Sequence, residues 1–185
     1  MNTLHNLNSY KTALLVLSAI LLSGCQTAPK TEAEKDDLEM RAESTVVTFK
    51  TLDPQIKTFF DSAQGYAVFP TIGKGGLGVG GAYGKGVLFE KGKVVGYCDL
   101  SQGSIGFQIG GQAYSEIIFF QTKHTLATFK AGEFAFAGQA SGVAVRAGAS
   151  ADAAYTAGVA VFTRPQGGLM GEASIGGQNF TYEAK

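Results

Sequence analysis

Hydrophobic positions along this chain follow two different periods. Leu38, Ala42, Val46 and Phe49 recur at i, i+4, i+8 and i+11, which puts them on one face of a helix over 38–52 and leaves Glu39, Arg41, Glu43 and Lys50 on the wet side. Asp53-Pro54 ends that helix and starts another, because Asp caps well and Pro fits a first helical position. Ile56, Phe59, Phe60 and Ala63 form its stripe, and Gly65 closes it. From there the texture changes to short β-branched and aromatic runs separated by glycine. Strands are expected at 66–69, 76–83, 86–89, 93–99, 104–110, 114–120, 133–145, 154–163, 168–176 and 179–183, with one short helix near 122–130. Alternation is clearest in Ile105, Phe107 and Ile109, and again in Phe134 and Phe136. Glu90-Lys91-Gly92-Lys93 between Val87-Leu88-Phe89 and Val94-Val95 predicts a hairpin turn in which Gly92 is free to take a positive φ. The expected fold is α+β and β-rich, with N-terminal helices followed by a curled antiparallel, barrel-like, glycine-rich sheet.

Fifteen of the 26 glycines fall between residues 65 and 111. Three of the paired glycines recur in one setting, Val79-Gly80-Gly81-Ala82-Tyr83, Ile109-Gly110-Gly111-Gln112-Ala113-Tyr114 and Ile175-Gly176-Gly177-Gln178-Asn179-Phe180. Paired glycines let a strand bulge and let another backbone or ring approach closely, so these are read as corners of the sheet.

The N-terminus has a different logic. Lys11 precedes an apolar run from Ala13 to Leu22, too short for a bilayer-spanning helix, and Ser23, Gly24 and Cys25 follow. Leu22-Ser23-Gly24-Cys25 resembles the bacterial lipobox, which implies a signal peptide over 1–24 and a mature chain starting at an acylated Cys25. Gln26, in place of Asp, resembles the sorting signal for the outer membrane. Residues 25–37 are polar without an apolar period and read as a flexible tether from the lipidated cysteine, leaving 38–185 as the domain. Cys98 then has no partner in the chain and reads as a small buried side chain.

Composition narrows the function. With 15 Lys+Arg against 15 Asp+Glu and no basic stripe, nucleic acid is not expected as a partner. Gly76-Leu77-Gly78-Val79-Gly80-Gly81 fits a dinucleotide fingerprint only as a string, since strands rather than a helix follow it. No P-loop or nucleophile elbow occurs, and His124 is the one histidine after residue 25, expected on an exposed helix face. No catalytic residue, metal ligand or cofactor is therefore expected. Glu116, inside an apolar strand, needs a partner, and a structural ion pair or a position at a barrel mouth is favoured over catalysis. Lys74, Lys85, Lys91 and Lys93 face a single acid, Glu90, between residues 65 and 93, a balance that would attract anionic head groups if the turns shared one end of the sheet. Four separately solvated lysines explain the same pattern.

Gly65-Tyr66-Ala67-Val68-Phe69-Pro70, Gly73-Lys74-Gly75-Gly76, Gly80-Gly81-Ala82-Tyr83-Gly84-Lys85-Gly86, Gly106-Phe107-Gln108-Ile109-Gly110-Gly111-Gln112 and Ser115-Glu116-Ile117-Ile118-Phe119 together resemble the SYLF lipid-binding domain family, also called the yeast-type actin-binding domain family. The resemblance runs over roughly 38–185. It implies a β-rich fold with preceding helices and contact with phospholipid; eukaryotic members bind phosphoinositides and some bundle actin. This chain departs from them in its acidic first helix and in Ser141-Gly142-Val143-Ala144-Val145-Arg146, which lacks the usual Gly-Pro, so actin binding is not carried over. The expectation is a non-catalytic envelope lipoprotein, in the inner leaflet of the outer membrane and facing the periplasm. Its domain would bind phospholipid or another anionic amphiphile through Lys74, Lys85, Lys91 and Lys93, with Arg146 and Arg164 as weaker contributors. The alternative is a periplasmic structural or protein-interaction module without a lipid ligand.

Overall fold

A computed structural model describes residues 29–136, 142–167 and 175–185, for 77–79 and 104–110 the backbone only. Cys25 and residues 1–24, read as a signal peptide, and most of the strand expected at 168–176, lie outside the described residues. Helix α1 spans Glu32–Leu52, a 3-10 turn covers Pro54–Ile56, and α2 spans Lys57–Ser62. Strands β1 (Gly65–Glu90) and β2 (Lys93–Phe120) follow, then α3 (Lys123–Lys130), β3 (Val143–Ala144), β4 (Val159–Pro165) and β5 (Gln178–Ala184).

Helix α1 begins six residues before the apolar period does, inside the stretch read as tether. Thr31 accepts from the Glu34 amide while the Glu34 carboxylate accepts from the Thr31 amide, a reciprocal cap that satisfies two otherwise orphaned donors. The Thr31-x-x-Glu34 spacing was the available signal. At the other end Asp53 caps the 3-10 turn and stops α1, and Leu38, Ala42 and Phe49 are buried as the stripe requires.

The separate short strands expected between 66 and 120 merge into two. β1 and β2 form one antiparallel ribbon from Gly65↔Phe120 to Glu90↔Lys93, closed by a two-residue turn with φ of 50° at Lys91 and 74° at Gly92. Glycine runs that look like breaks in one dimension stay extended, and the register slips between Gly76 and Gly78; Gly110 and Gly111 of the second paired-glycine motif lie opposite Gly76 and Gly75, and Gly81 of the first lies opposite Gly103. The third motif is instead a turn into β5, with Gly177 at φ 75°. The ribbon folds back on itself: a Cβ at Gly86 would meet the Val68 carbonyl oxygen at 2.8 Å, and one at Gly84 the Thr71 carbonyl oxygen at 2.9 Å. Only glycine permits that approach.

The sheet curls without closing into a barrel. Its path is β1-β2-β4-β3, and β5 joins β2 off that path. Both additions use β2: residues 114–120 pair with β4 and 96–102 with β5, so the long strand is shared rather than the ends joined. Of the strand expected at 133–145, Val143–Ala144 forms and Ala135 makes an isolated bridge to Asn179.

Alternation on β1 and β2 supplies two cores. Val68, Val87, Ile117 and Phe119 face α1 and α2, meeting Leu38, Phe49, Ile56 and Phe59. Phe69, Leu88, Ile118 and Phe120 face inward with Leu126 and Phe129 of α3 and Phe180 of β5. Helix α1 therefore packs on the domain, and Tyr97 on β2 donates to Glu39 of α1 at 2.6 Å.

Candidate functional site

The arrangement separates the sequence-derived cations. Lys91 and Lys93 flank the exposed hairpin turn, where Glu90 is engaged by Lys130. Lys85 lies six residues up the same strand, roughly 20 Å away at about 3.3 Å per residue. Lys74 lies farther still, because the fold-back sets Gly84 against Thr71. The four lysines thus do not share one end of the sheet. Arg146 is exposed on the loop after β3. Cys25 is not among the described residues.

Lys85 and Arg164 do open onto one feature, the groove between α1 and the sheet. Its outer part, about 680 Å³, is bounded by Glu34, Asp37 and Arg41 of α1 and by Thr71, Tyr83 and Lys85 of β1. Lys85 stands across from Asp99 in register. Two backbone amides, Lys30 and Thr31, hold the Glu34 carboxyl below its usual range, and Lys85 adds to that pull. Burial pushes Asp99 up, opposed by the Tyr83 hydroxyl at 2.8 Å and by Lys85.

Arg41 also lines the inner part, about 240 Å³, with Ser44, Thr45 and Thr48 of α1 and Arg164 of β4. The floor is fixed by hydrogen bonds: Arg41 Nη2 donates to Thr71 Oγ1 at 3.1 Å, Thr71 Oγ1 donates to Gln166 Oε1 at 3.2 Å, and Gln166 Nε2 donates to Ser115 Oγ at 2.6 Å. Ser115 Oγ in turn donates to the Pro70 carbonyl at 3.0 Å. Arg41 Nη1 lies 3.6 Å from Asp37 Oδ2. The Arg164 side chain has no hydrogen bond or ion pair among the described residues, and no carboxylate lines the inner part there. Arg41 was read from the sequence only as a wet-face residue; its place in the groove depends on partners 30 positions away along the chain, with no local signal.

A second, apolar cavity of about 370 Å³ sits between Phe134, Phe136, Val159, Val161 and Ile175, with Thr156 as the hydroxyl on its wall. The remaining readings resolve plainly. His124 is exposed on α3, and Cys98 is a free, buried thiol whose pKa burial raises well above its ordinary value. Glu116 has no ion-pair partner among the described residues, and it lies in the core rather than at a mouth. It is fully buried, accepts from Gln178 Nε2 at 3.2 Å, and burial pushes its pKa up to about 8. No group of three or more metal-ligating side chains exists among the described residues, and no described helix is long and apolar enough to cross a membrane.

This is an open, helix-flanked, glycine-bent sheet, and comparison with known proteins gives it a class. Residues 101–184 match the SYLF-domain family model Ysc84, described as Las17-binding protein actin regulator. The chain is also similar to Beta cell expansion factor A of Aeromonas veronii, at 28% identity over 155 residues. That match covers 82% of this chain but spans 59% of the relative's length.

Proposed function

We propose that this protein is a non-catalytic envelope lipoprotein, held in the inner leaflet of the outer membrane through acylated Cys25, whose SYLF domain contacts phospholipid or another anionic amphiphile. The carrying observation is the pair of hollows beside α1, the outer lined by Lys85 and Arg41 and the inner by Arg41 and Arg164. A cation near a membrane surface contributes about 1 kcal/mol toward anionic lipid, so even a few such groups matter when an anchor already confines the domain. Acyl chains on Cys25 would supply that confinement, each buried methylene adding about 0.8 kcal/mol.

Flotation of the Cys25→Ser form with phosphatidylglycerol-rich and with purely zwitterionic vesicles tests the lipid reading. Salt-sensitive binding to the acidic vesicles is expected; equal and negligible binding to both removes it. The same substitution in cells tests the anchor, since the protein should leave the membrane fraction. Full retention there at unchanged mass refutes acylation.

One observation favours the protein-interaction reading instead. Met40 and Val47 are 64% and 63% exposed on the outer face of α1. In-cell cross-linking that captures a protein through this face, in a domain indifferent to lipid, would select that reading.

A further inference from the structure

We propose that the inner end of the α1 groove is a receptor for one tetrahedral oxyanion, a phosphate group, held between Arg41 and Arg164; this rests on the reading of the groove as a ligand site. The two arginines come from different elements, α1 and β4, and both line the same 240 Å³ space. A planar carboxylate is saturated by one bidentate arginine, whereas a tetrahedral group has oxygens left for a second fork approaching from another side. Arg41 is already partly engaged, by Thr71 at 3.1 Å and by Asp37 at 3.6 Å on its outer side. Arg164 is half-buried and lacks any partner among the described residues, which leaves it the stronger anion receptor.

The other groups suit this role. Thr45 and Thr48 hydroxyls bond back to the Arg41 and Ser44 carbonyls at 2.8 and 2.9 Å, carbonyls that lie inside the helix hydrogen-bond ladder. Such bonds are surrendered cheaply, so both hydroxyls can turn to donate to an anion. Gln166 competes little with the anion as an acceptor, because its Oε1 already accepts from Thr71 and its Nε2 fixes it by donating to Ser115 and the Pro70 carbonyl. The floor is tied together by these hydrogen bonds, while the two threonine hydroxyls turn toward the anion.

The test uses the full chain with inorganic phosphate as probe, by isothermal titration against sodium acetate at matched ionic strength, and in parallel with phosphatidylglycerol vesicles. Saturable phosphate binding is expected, with acetate ineffective. Arg164→Gln should weaken it by about tenfold or more, the loss of a charge-assisted bond, with Arg164→Lys intermediate. Thr48→Glu places a carboxylate in the pocket from a half-buried helix position outside the core and should abolish binding, which keeps the test decisive if Arg164→Gln fails to fold. Phosphate binding unchanged in the folded variants, or absent in the wild type, overturns the proposal. If acidic vesicles are nevertheless bound, the lipid reading stands without this pocket. If phosphate binds and vesicles do not, the pocket stands with a soluble phosphate as its source and the lipid reading falls.

Discussion

Replacing Glu116 with glutamine should stabilise the protein, and increasingly so as pH rises. The carboxyl lies on the inner face of β2, between Tyr114 and Ile118 along the strand and opposite Phe69 on β1 and Thr163 on β4, and its side-chain partner among the described residues is the neutral Gln178 amide. Burial raises its pKa from 4.5 to about 8, against a small opposing contribution from Gln178. A folded-state pKa above the unfolded one means that the fold favours the protonated form. That advantage is complete below pH 4.5 and is lost as pH climbs to about 8. At about 1.4 kcal/mol per unit the full window is worth about 5 kcal/mol, an upper bound because water entry around an ionised carboxylate limits the penalty. Glutamine keeps the shape and carries no titrating group. Urea unfolding followed by tyrosine emission, undisturbed because the chain has no tryptophan, gives the stability of both forms at pH 5, 6, 7 and 8. The difference between them cancels every other titration. It should grow by about 1 kcal/mol per pH unit across this range, and parallel pH profiles would show that Glu116 is either solvated or compensated by a charge.

Three further outcomes follow from the packing. Gly86→Ala should cost about 1–3 kcal/mol or prevent folding, since its methyl group would sit 2.7 Å from the Phe69 ring, while Gly103→Ala, with open space at that site, should leave the melting temperature nearly unchanged. Asp53→Ala removes the carboxylate that accepts from the amides of Ser150 at 2.7 Å and of Gly148 and Gln55 at 3.3 Å, and should cost about 2 kcal/mol by chemical denaturation. Although burial opposes it, those hydrogen bonds hold the Asp53 pKa below 3.8, so its contribution persists above that value and fades as pH falls further. Cys98 should resist a maleimide in the folded protein and react at once in urea; prompt labelling under native conditions would contradict its burial.

How far the sequence carries the reader depends on the range of the interaction involved. The stripes Leu38-Ala42-Phe49 and Ile56-Phe59 were legible because a helix repeats its face every few residues, and they dock where the period says. The turn at Lys91-Gly92 was legible because its backbone needs glycine locally. Strand ends in the glycine-rich block were not. Glycine signals freedom, and whether it spends that freedom on a turn or on an intimate approach, as Gly84 and Gly86 do to Thr71 and Val68, is decided by a partner more than ten residues away. The placement of the cations was illegible for the same reason. Grouping Lys74, Lys85, Lys91 and Lys93 used their closeness in sequence, yet an extended strand turns six residues into roughly 20 Å of separation. Arg41 and Arg164, more than a hundred positions apart, open onto one pocket because α1 lies across the face of β2 that β4 extends. In a fold made of two very long strands, sequence neighbours are pulled apart and distant residues are brought together, so a site here must be built from groups on different elements.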